Sequence, residues 1–184
     1  MTSNMTAPFH SADLLERARA VRMIVFDIDG VLTDGSLFFG DDGQEYKAFN
    51  SRDGHGIKML RASGVEAGII TGRTSQVVLH RARNLGITRI YQGAEDKLEA
   101  FHALLREQGL TPNQIAYMGD DVVDLPVLRR CGMAVTVPDA PAEVKARCHC
   151  ITQAAAGRGA AREVCEYLLR AQGAWETQLA LYDR

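Results

Sequence analysis

Five short apolar runs recur along the chain, and a stretch with helical spacing follows each: MIVFDI at 23–28, VEAGIIT at 65–71, TRIYQ at 88–92, QIAYMG at 114–119 and MAVTV at 133–137. This pattern constrains the fold more than any other feature. A strand with one wet face alternates apolar and polar residues, whereas a nearly continuous apolar run must be covered on both faces. Strands of that kind alternating with helices predict a parallel sheet. The right-handed crossover rule then gives an α/β, doubly wound, Rossmann-like three-layer sandwich with a mainly parallel sheet. Helices are predicted over 54–62, 75–85, 97–108, 123–130, 140–146 and 160–172, and CHCIT at 148–152 is a further short strand. The first 20 or so residues read as a helix packed outside the core. One segment breaks the alternation. SLFFGDDGQEYKAFN, residues 36–50, reads as two strands around a Gly-Asp-Asp-Gly turn. Such a hairpin would stand over the carboxyl ends of the strands, where ligands of these sheets bind.

The chain has 184 residues and is 46% hydrophobic, enough for one domain with a proper core. A formal net charge of −2 argues against a nucleic-acid partner, which would call for a basic face. The four cysteines (Cys131, Cys148, Cys150 and Cys165) read as reduced thiols. CHC at 148–150 lacks the second ligand pair that zinc spacing requires, so a short half-buried strand is the simpler reading. No apolar run approaches the roughly 20 residues of a membrane span. The N-terminus has no signal-like apolar core, so the expected location is cytoplasmic, with no membrane contact.

The chemistry gathers at strand ends. Asp27 and Asp29 close the first strand, and a spacing of two puts both carboxylates on one side of an extended chain. Two like charges so close are costly unless a cation or a shared proton intervenes. Thr71 ends the second strand, and by itself reads equally well as a helix N-cap. Lys97 opens a helix at the end that repels cations, a placement that a bound anion would explain. Asp120, Asp121 and Asp124 follow the fourth strand. Oxygen donors at that density suit a hard cation such as Mg2+.

DIDGVLT, the Thr71 turn ITGR, Lys97 and GDDVVD stand in the order of the four motifs of the haloacid dehalogenase (HAD) phosphatase superfamily, and the chain resembles its members across nearly the whole core. The resemblance implies one HAD-like hydrolase domain over residues 1–184, with a hairpin flap at about 36–50 and a C-terminal tail and helix at about 155–184. It implies a phosphatase in which Asp27 attacks phosphorus to form an aspartyl-phosphate. Asp29 would act as general acid and then as base. Mg2+ would be held by Asp27, the backbone carbonyl of Asp29, and Asp120. Asp121 and Asp124 would orient metal waters or hold Lys97. Lys97, Thr71 and the metal would stabilise charge on the phosphoryl oxygens.

Forty-three positions separate Asp27 from Thr71, and Lys97 follows Thr71 by 26, so neither usual place for a cap domain is filled. A capless site takes a macromolecule or borrows its lid from another subunit. The similar capless members are homotetramers in which a neighbour completes the site. DGQEYKAFNSRDGHGIKML, GRTSQVVLHRARNLGI and AAGRGAAREVCEYLLRAQG resemble members acting on a small phosphorylated sugar acid. By that resemblance Asn50, Ser51, Arg52, Asp53 and Gly54 line the substrate pocket, Lys58, Arg73 and Arg81 lie near it, and Arg158 reaches a neighbouring site. A carboxylate and a phosphate on one substrate need cations at two places, which these bases could supply. Rival readings are a phosphatase for a related nine-carbon sugar acid, a signalling receiver domain, and a catalytically silent oligomeric scaffold. A phosphosugar panel separates the first, a stable phosphoform without turnover would mark the second, and a site that stays metal-free in excess Mg2+ would mark the third.

Overall fold

The computed structural model of the chain describes residues 11–184. The first ten residues of the predicted N-terminal helix lie outside that range. The first element is α1 (Ala12–Ala20), started by Ser11, whose Oγ accepts from Leu14 N at 3.2 Å. Leu14 and Ala18 of α1 join the buried core instead of staying outside it.

The order continues with β1 (Met23–Phe26), a hairpin of β2 (Phe38–Phe39) and β3 (Glu45–Tyr46), α2 (Ser51–Ala62), β4 (Glu66–Ile70), α3 (Gln76–Leu85), β5 (Arg89–Tyr91) and α4 (Lys97–Gln108). Then come β6 (Ile115–Met118), α5 (Leu125–Leu128), β7 (Met133–Thr136), α6 (Ala142–Lys145), β8 (Cys150–Ile151), α7 (Ala160–Ala171) and α8 (Trp175–Ala180). The main sheet runs β5-β4-β1-β6-β7-β8, and every neighbouring pair is parallel. Every residue of β1, β6 and β7 is buried, which is why their sequences are apolar without alternation. From β1 the chain moves outward to β4 and β5, then returns to β6 on the other side of β1. The reversal opens a crevice at the carboxyl ends of β1, β4 and β6, the place such sheets use for ligands.

Local chemistry sets several boundaries. α2 starts three residues earlier than its periodicity predicts, because Asn50 Oδ1 accepts from Arg52 N and Asp53 N at 2.8 and 3.3 Å. The predicted helix over 123–130 splits instead into a 3-10 turn at Val122–Asp124 and the short α5, with Pro126 inside its first turn. The hairpin turn is closed by Gly43 N donating to Gly40 O at 2.9 Å, with Gly43 at φ 78°. α8 has no counterpart among the predicted helices. It is held by tertiary contact: Trp175 lies under the Arg170 guanidinium at 4.2 Å, and Gln178 is buried.

One long-range cap ties α2 to α7. The N-cap of α7 is Gly159, which has no side chain to satisfy the first amides of the helix. Asp53 supplies it from α2: its Oδ1 accepts from Arg162 N at 2.8 Å and its Oδ2 from Gly159 N at 3.2 Å. Burial pushes this carboxyl above its ordinary value of 3.8 even though both amides favour its charged form. His149 of the CHC stretch is likewise structural, its Nδ1 accepting from Ala134 N at 2.7 Å, and the four cysteines are free and buried.

Candidate active site

The crevice holds the motif residues together. Asp27 follows β1 and is buried. Its Oδ1 accepts from Ile28 N at 2.7 Å, and its Oδ2 accepts from Lys97 Nζ at 2.6 Å. Lys97 is the first residue of α4, whose N-cap is Asp96. Its cationic head sits against the helix dipole because two protein carboxylates offset that cost, Asp27 and Asp124 at 2.6 and 2.7 Å. No bound anion is needed to explain the placement.

Asp124 is fully buried and fully engaged. Its Oδ1 accepts from Lys97 Nζ and from Tyr117 OH at 2.6 Å. Its Oδ2 accepts from the backbone amides of Asp120 and Asp121 at 3.0 and 3.2 Å. Tyr117 lies inside an apolar strand and had no assigned role in the sequence; a buried tyrosine hydroxyl there demands a polar partner. Asp121 is exposed and caps its own turn, accepting from Val122 N at 2.7 Å.

One carboxylate oxygen from each of Asp27, Asp120 and Asp124 lies within 4.8 Å of the others. Those hard oxygen donors fit Mg2+. Asp124 already accepts four hydrogen bonds, so Asp27 and Asp120 are the donors left for a cation. The electrostatics agree. Burial, then the charge of Asp124, push Asp27 from 3.8 up to about 6, against the pull of Lys97. Burial and the charges of Asp124 and Asp27 push Asp120 from 3.8 up to about 7. Burial works against the charged form of Lys97, but its two acids outweigh it and hold the ammonium above its ordinary value. Gly30, at φ 82°, lets the two halves of the site meet: a Cβ there would collide with the Asp120 carboxylate.

This excess of negative charge makes a measurable prediction. An acid held above its unfolded value binds more protons folded than unfolded, so stability falls as pH rises from about 4 through 6 and 7. The metal-free chain should therefore melt several degrees lower at pH 8 than at pH 5.5. Mg2+ should raise the melting temperature strongly at pH 8 and little at pH 5, where protons hold the same oxygens. Equal Mg2+ stabilisation at both pH values would remove Asp27 and Asp120 as the ligands.

Asp29, partly exposed, belongs to the same cavity but has different partners. Its Oδ1 accepts from Lys47 Nζ at 2.5 Å and from Thr33 Oγ1 at 3.4 Å. Its Oδ2 is buried without a hydrogen bond, 3.7 Å from Arg73 Nε. Sequence reasoning passed over Lys47, although its spacing of two from Glu45 puts both on one face of the hairpin strand. The cavity, about 280 Å³, is lined by Asp27, Asp29, Thr71, Arg73, Lys97 and Val123 among others. Thr71 is buried at the end of β4, its amide donating to Tyr91 O at 2.9 Å. The N-cap of α3 is Ser75, so Thr71 is left to the cavity. A larger depression of about 670 Å³ beside β5 and α4 holds none of the motif residues.

The expected substrate residues divide. Arg73 lines the cavity, with Nη2 on Glu45 at 3.1 Å and its guanidinium over Phe39. Asn50, Asp53, Gly54 and Arg81 instead line a small separate pocket under the start of α2. There Arg81 donates to Asn50 O at 3.0 Å and lies over the Phe49 ring, close above Gly54. Ser51, Arg52 and Lys58 are exposed on α2. Arg158 is exposed, 3.7 Å from Asp34 of its own chain.

Comparison with known proteins gives consistent matches. Residues 84–164 match the family described as haloacid dehalogenase-like hydrolase. The 3-deoxy-D-manno-octulosonate 8-phosphate phosphatase KdsC of Escherichia coli strain K12 is 47% identical over 163 residues, which is 89% of this chain and 87% of that protein. The crystal structure of the Yersinia pestis 3-deoxy-D-manno-octulosonate 8-phosphate phosphatase is 44% identical with a TM-score of 0.89, covering 91% of this chain and 90% of that one. The Moraxella catarrhalis phosphatase of the same name, solved with magnesium ion, phosphate ion and a KDO molecule, is 38% identical with a TM-score of 0.92, covering 94% and 99%.

Proposed function

We infer the function from the family: the chain belongs to the haloacid dehalogenase-like hydrolases and, within them, to the 3-deoxy-D-manno-octulosonate 8-phosphate (KDO 8-phosphate) phosphatases. It is a Mg2+-dependent phosphatase that hydrolyses KDO 8-phosphate to KDO and inorganic phosphate, a step in making lipopolysaccharide precursors. The observation that carries the chemistry is that Asp27 and Asp29 line one cavity in different environments. Asp27 is buried against Lys97, whereas Asp29 keeps an oxygen without a hydrogen bond.

Asp27 is the nucleophile. Lys97 and the Ile28 amide favour its ionised form and fix its orientation. Asp29 gives a proton to the departing sugar oxygen and later takes one from water. Lys97 and Thr71 stabilise the phosphoryl oxygens, and Arg73 offers a guanidinium to the anionic substrate. Asp124 holds Lys97. Asp27, Asp120 and the backbone carbonyl of Asp29 would hold Mg2+, which supplies charge neutralisation at the phosphoryl group when bound. The two opening acids of the site tolerate each other because one works ionised beside cations and the other works protonated in part of the cycle.

Phosphate release with Mg2+ from KDO 8-phosphate, a nonulosonate 9-phosphate, glucose 6-phosphate and p-nitrophenyl phosphate tests this reading. Strong preference for the octulosonate ester is expected. Equal weak turnover of all four would discard the substrate and keep the phosphatase chemistry.

We read the working form as a cytoplasmic homotetramer of single-domain subunits. Support comes from the missing cap and from large apolar side chains left exposed beside the site: Leu37, Phe38, Phe39 and Tyr46 on the hairpin, Val122 and Val123 at the crevice. A patch of this kind on the rim of a site marks an interaction surface. Arg158 would then act in a neighbouring subunit. Phe38→Asp with Phe39→Asp should yield smaller species by light scattering and lower KDO 8-phosphate turnover by about tenfold or more. A double variant that remains a tetramer would exclude the hairpin as the interface. Among the described residues, no helix is long and apolar enough to cross a membrane.

A further inference from the structure

We propose that Lys47, carried into the crevice by the hairpin, is a positioning residue that presents Asp29 to the leaving group. The proposal rests on the reading of Asp29 as general acid. The Lys47 side chain is 1% exposed although it follows a strand whose own faces are half-exposed or exposed. Its ammonium meets Asp29 Oδ1 at 2.5 Å and Glu45 Oε1 at 3.2 Å. A lysine is rarely buried unless its charge is answered, and here both answers are carboxylates at the mouth of the catalytic cavity.

The geometry has a directional consequence. A carboxylate can rotate about its last bond and offer either oxygen. Lys47 engages Oδ1, assisted by Thr33 Oγ1, and so selects Oδ2 as the oxygen left for chemistry. That oxygen is buried, has no hydrogen bond, and lies 3.7 Å from the cavity-lining Arg73. An unpaired buried oxygen is costly and calls for an explanation. Its place at the catalytic cavity supplies one: it is the oxygen kept open toward the substrate. Glu45 completes the arrangement, because its Oε1 accepts from Arg73 Nη2 at 3.1 Å while it contacts Lys47. The hairpin thus sets the orientation of Asp29 as well as covering the site. In the step concerned, Asp27 forms a bond to phosphorus and the P–O ester bond breaks. The electron pair stays on the sugar oxygen, which takes the proton from Asp29.

A proton donor matters most when the leaving group is a poor one. The test measures kcat and KM with Mg2+ for wild type, Lys47→Met, Lys47→Arg, Glu45→Gln and Asp29→Asn. The substrates are KDO 8-phosphate, phenyl phosphate and p-nitrophenyl phosphate; the last two share a shape but differ in leaving-group acidity. Lys47→Met should lower kcat about 100-fold on KDO 8-phosphate and clearly on phenyl phosphate, but less than about 5-fold on p-nitrophenyl phosphate, with KM nearly unchanged. Lys47→Arg should recover much of the loss. Glu45→Gln, which keeps Lys47 and removes the charge of its second partner, should show the same selectivity at smaller size. An equal loss on all three esters, or a rise in KM at constant kcat, overturns the proposal. A leaving-group effect in Asp29→Asn without one in Lys47→Met overturns the role of Lys47 alone. No such effect in Asp29→Asn overturns the general-acid reading, and the proposal with it.

Discussion

Asp27→Asn should lower kcat on KDO 8-phosphate by at least about 10⁴-fold while leaving the fold intact. The amide is nearly isosteric with the acid: its single oxygen can keep the bond from Ile28 N, while Lys97 gives up this partner and keeps Asp124. It lacks the charge and nucleophilicity that an attack on phosphorus needs. Stability should move the other way. Asp27 is pushed up to about 6 by burial and by Asp124, so its ionised form is a strain on the metal-free fold at pH 8. A neutral asparagine removes that strain and also one of the charges raising Asp120. The metal-free variant should melt at or above the wild-type temperature at pH 8 and gain less from Mg2+. Residual turnover near a tenth of wild type would show that another group attacks phosphorus. A large drop in melting temperature would mean that the lost activity reports on folding.

Asp124→Ala should cost about 3–5 kcal/mol of stability. Few side chains in the molecule have so many partners: the carboxylate is fully buried and accepts from Lys97, Tyr117 and two backbone amides. Alanine leaves the hydroxyl and both amides without acceptors in a dry site, and such orphaned donors are expensive. Lys97 keeps Asp27 and is only half abandoned. The loss should also depend on pH. Asp124 raises both Asp27 and Asp120, so its removal relaxes them, and that relief is felt above about pH 6. Urea denaturation should therefore show a larger loss at pH 5 than at pH 8. A change below about 1 kcal/mol at both would show that water or a repacked neighbour takes over those four bonds.

The fold was legible because its central strands β1, β6 and β7 are buried on both faces, which writes them as continuous apolar runs. The motif residues were legible for a related reason: a carboxylate or lysine at the end of such a run has no packing role to hide behind. What escaped was whatever depended on a partner distant in sequence. α8 is a six-residue helix held by Trp175 against Arg170, and six residues carry no periodicity to read. Lys47 drew no reading from the sequence, because what distinguishes it is its contact with Asp29, which lies in another element. Asn50 and Asp53, grouped with the substrate residues by resemblance, also cap helices: Asn50 its own, with a pattern that is there to be read, and Asp53 one more than a hundred residues on.

That last contact also bears on how the molecule is made. Chains emerge from the ribosome with the N-terminus first, and their domains begin to fold in that order. Asp53 leaves long before the amides of Gly159 and Arg162, which lie 106 and 109 residues later. Until those amides arrive, the carboxylate has no backbone donors and the face of α2 that meets α7 stays uncovered. The earlier strands can pair during synthesis, but the growing chain cannot close that face. Closure of that face therefore waits for α7 to be made, and a chain that stops short of α7 is left with an open apolar face and an acid without its amides.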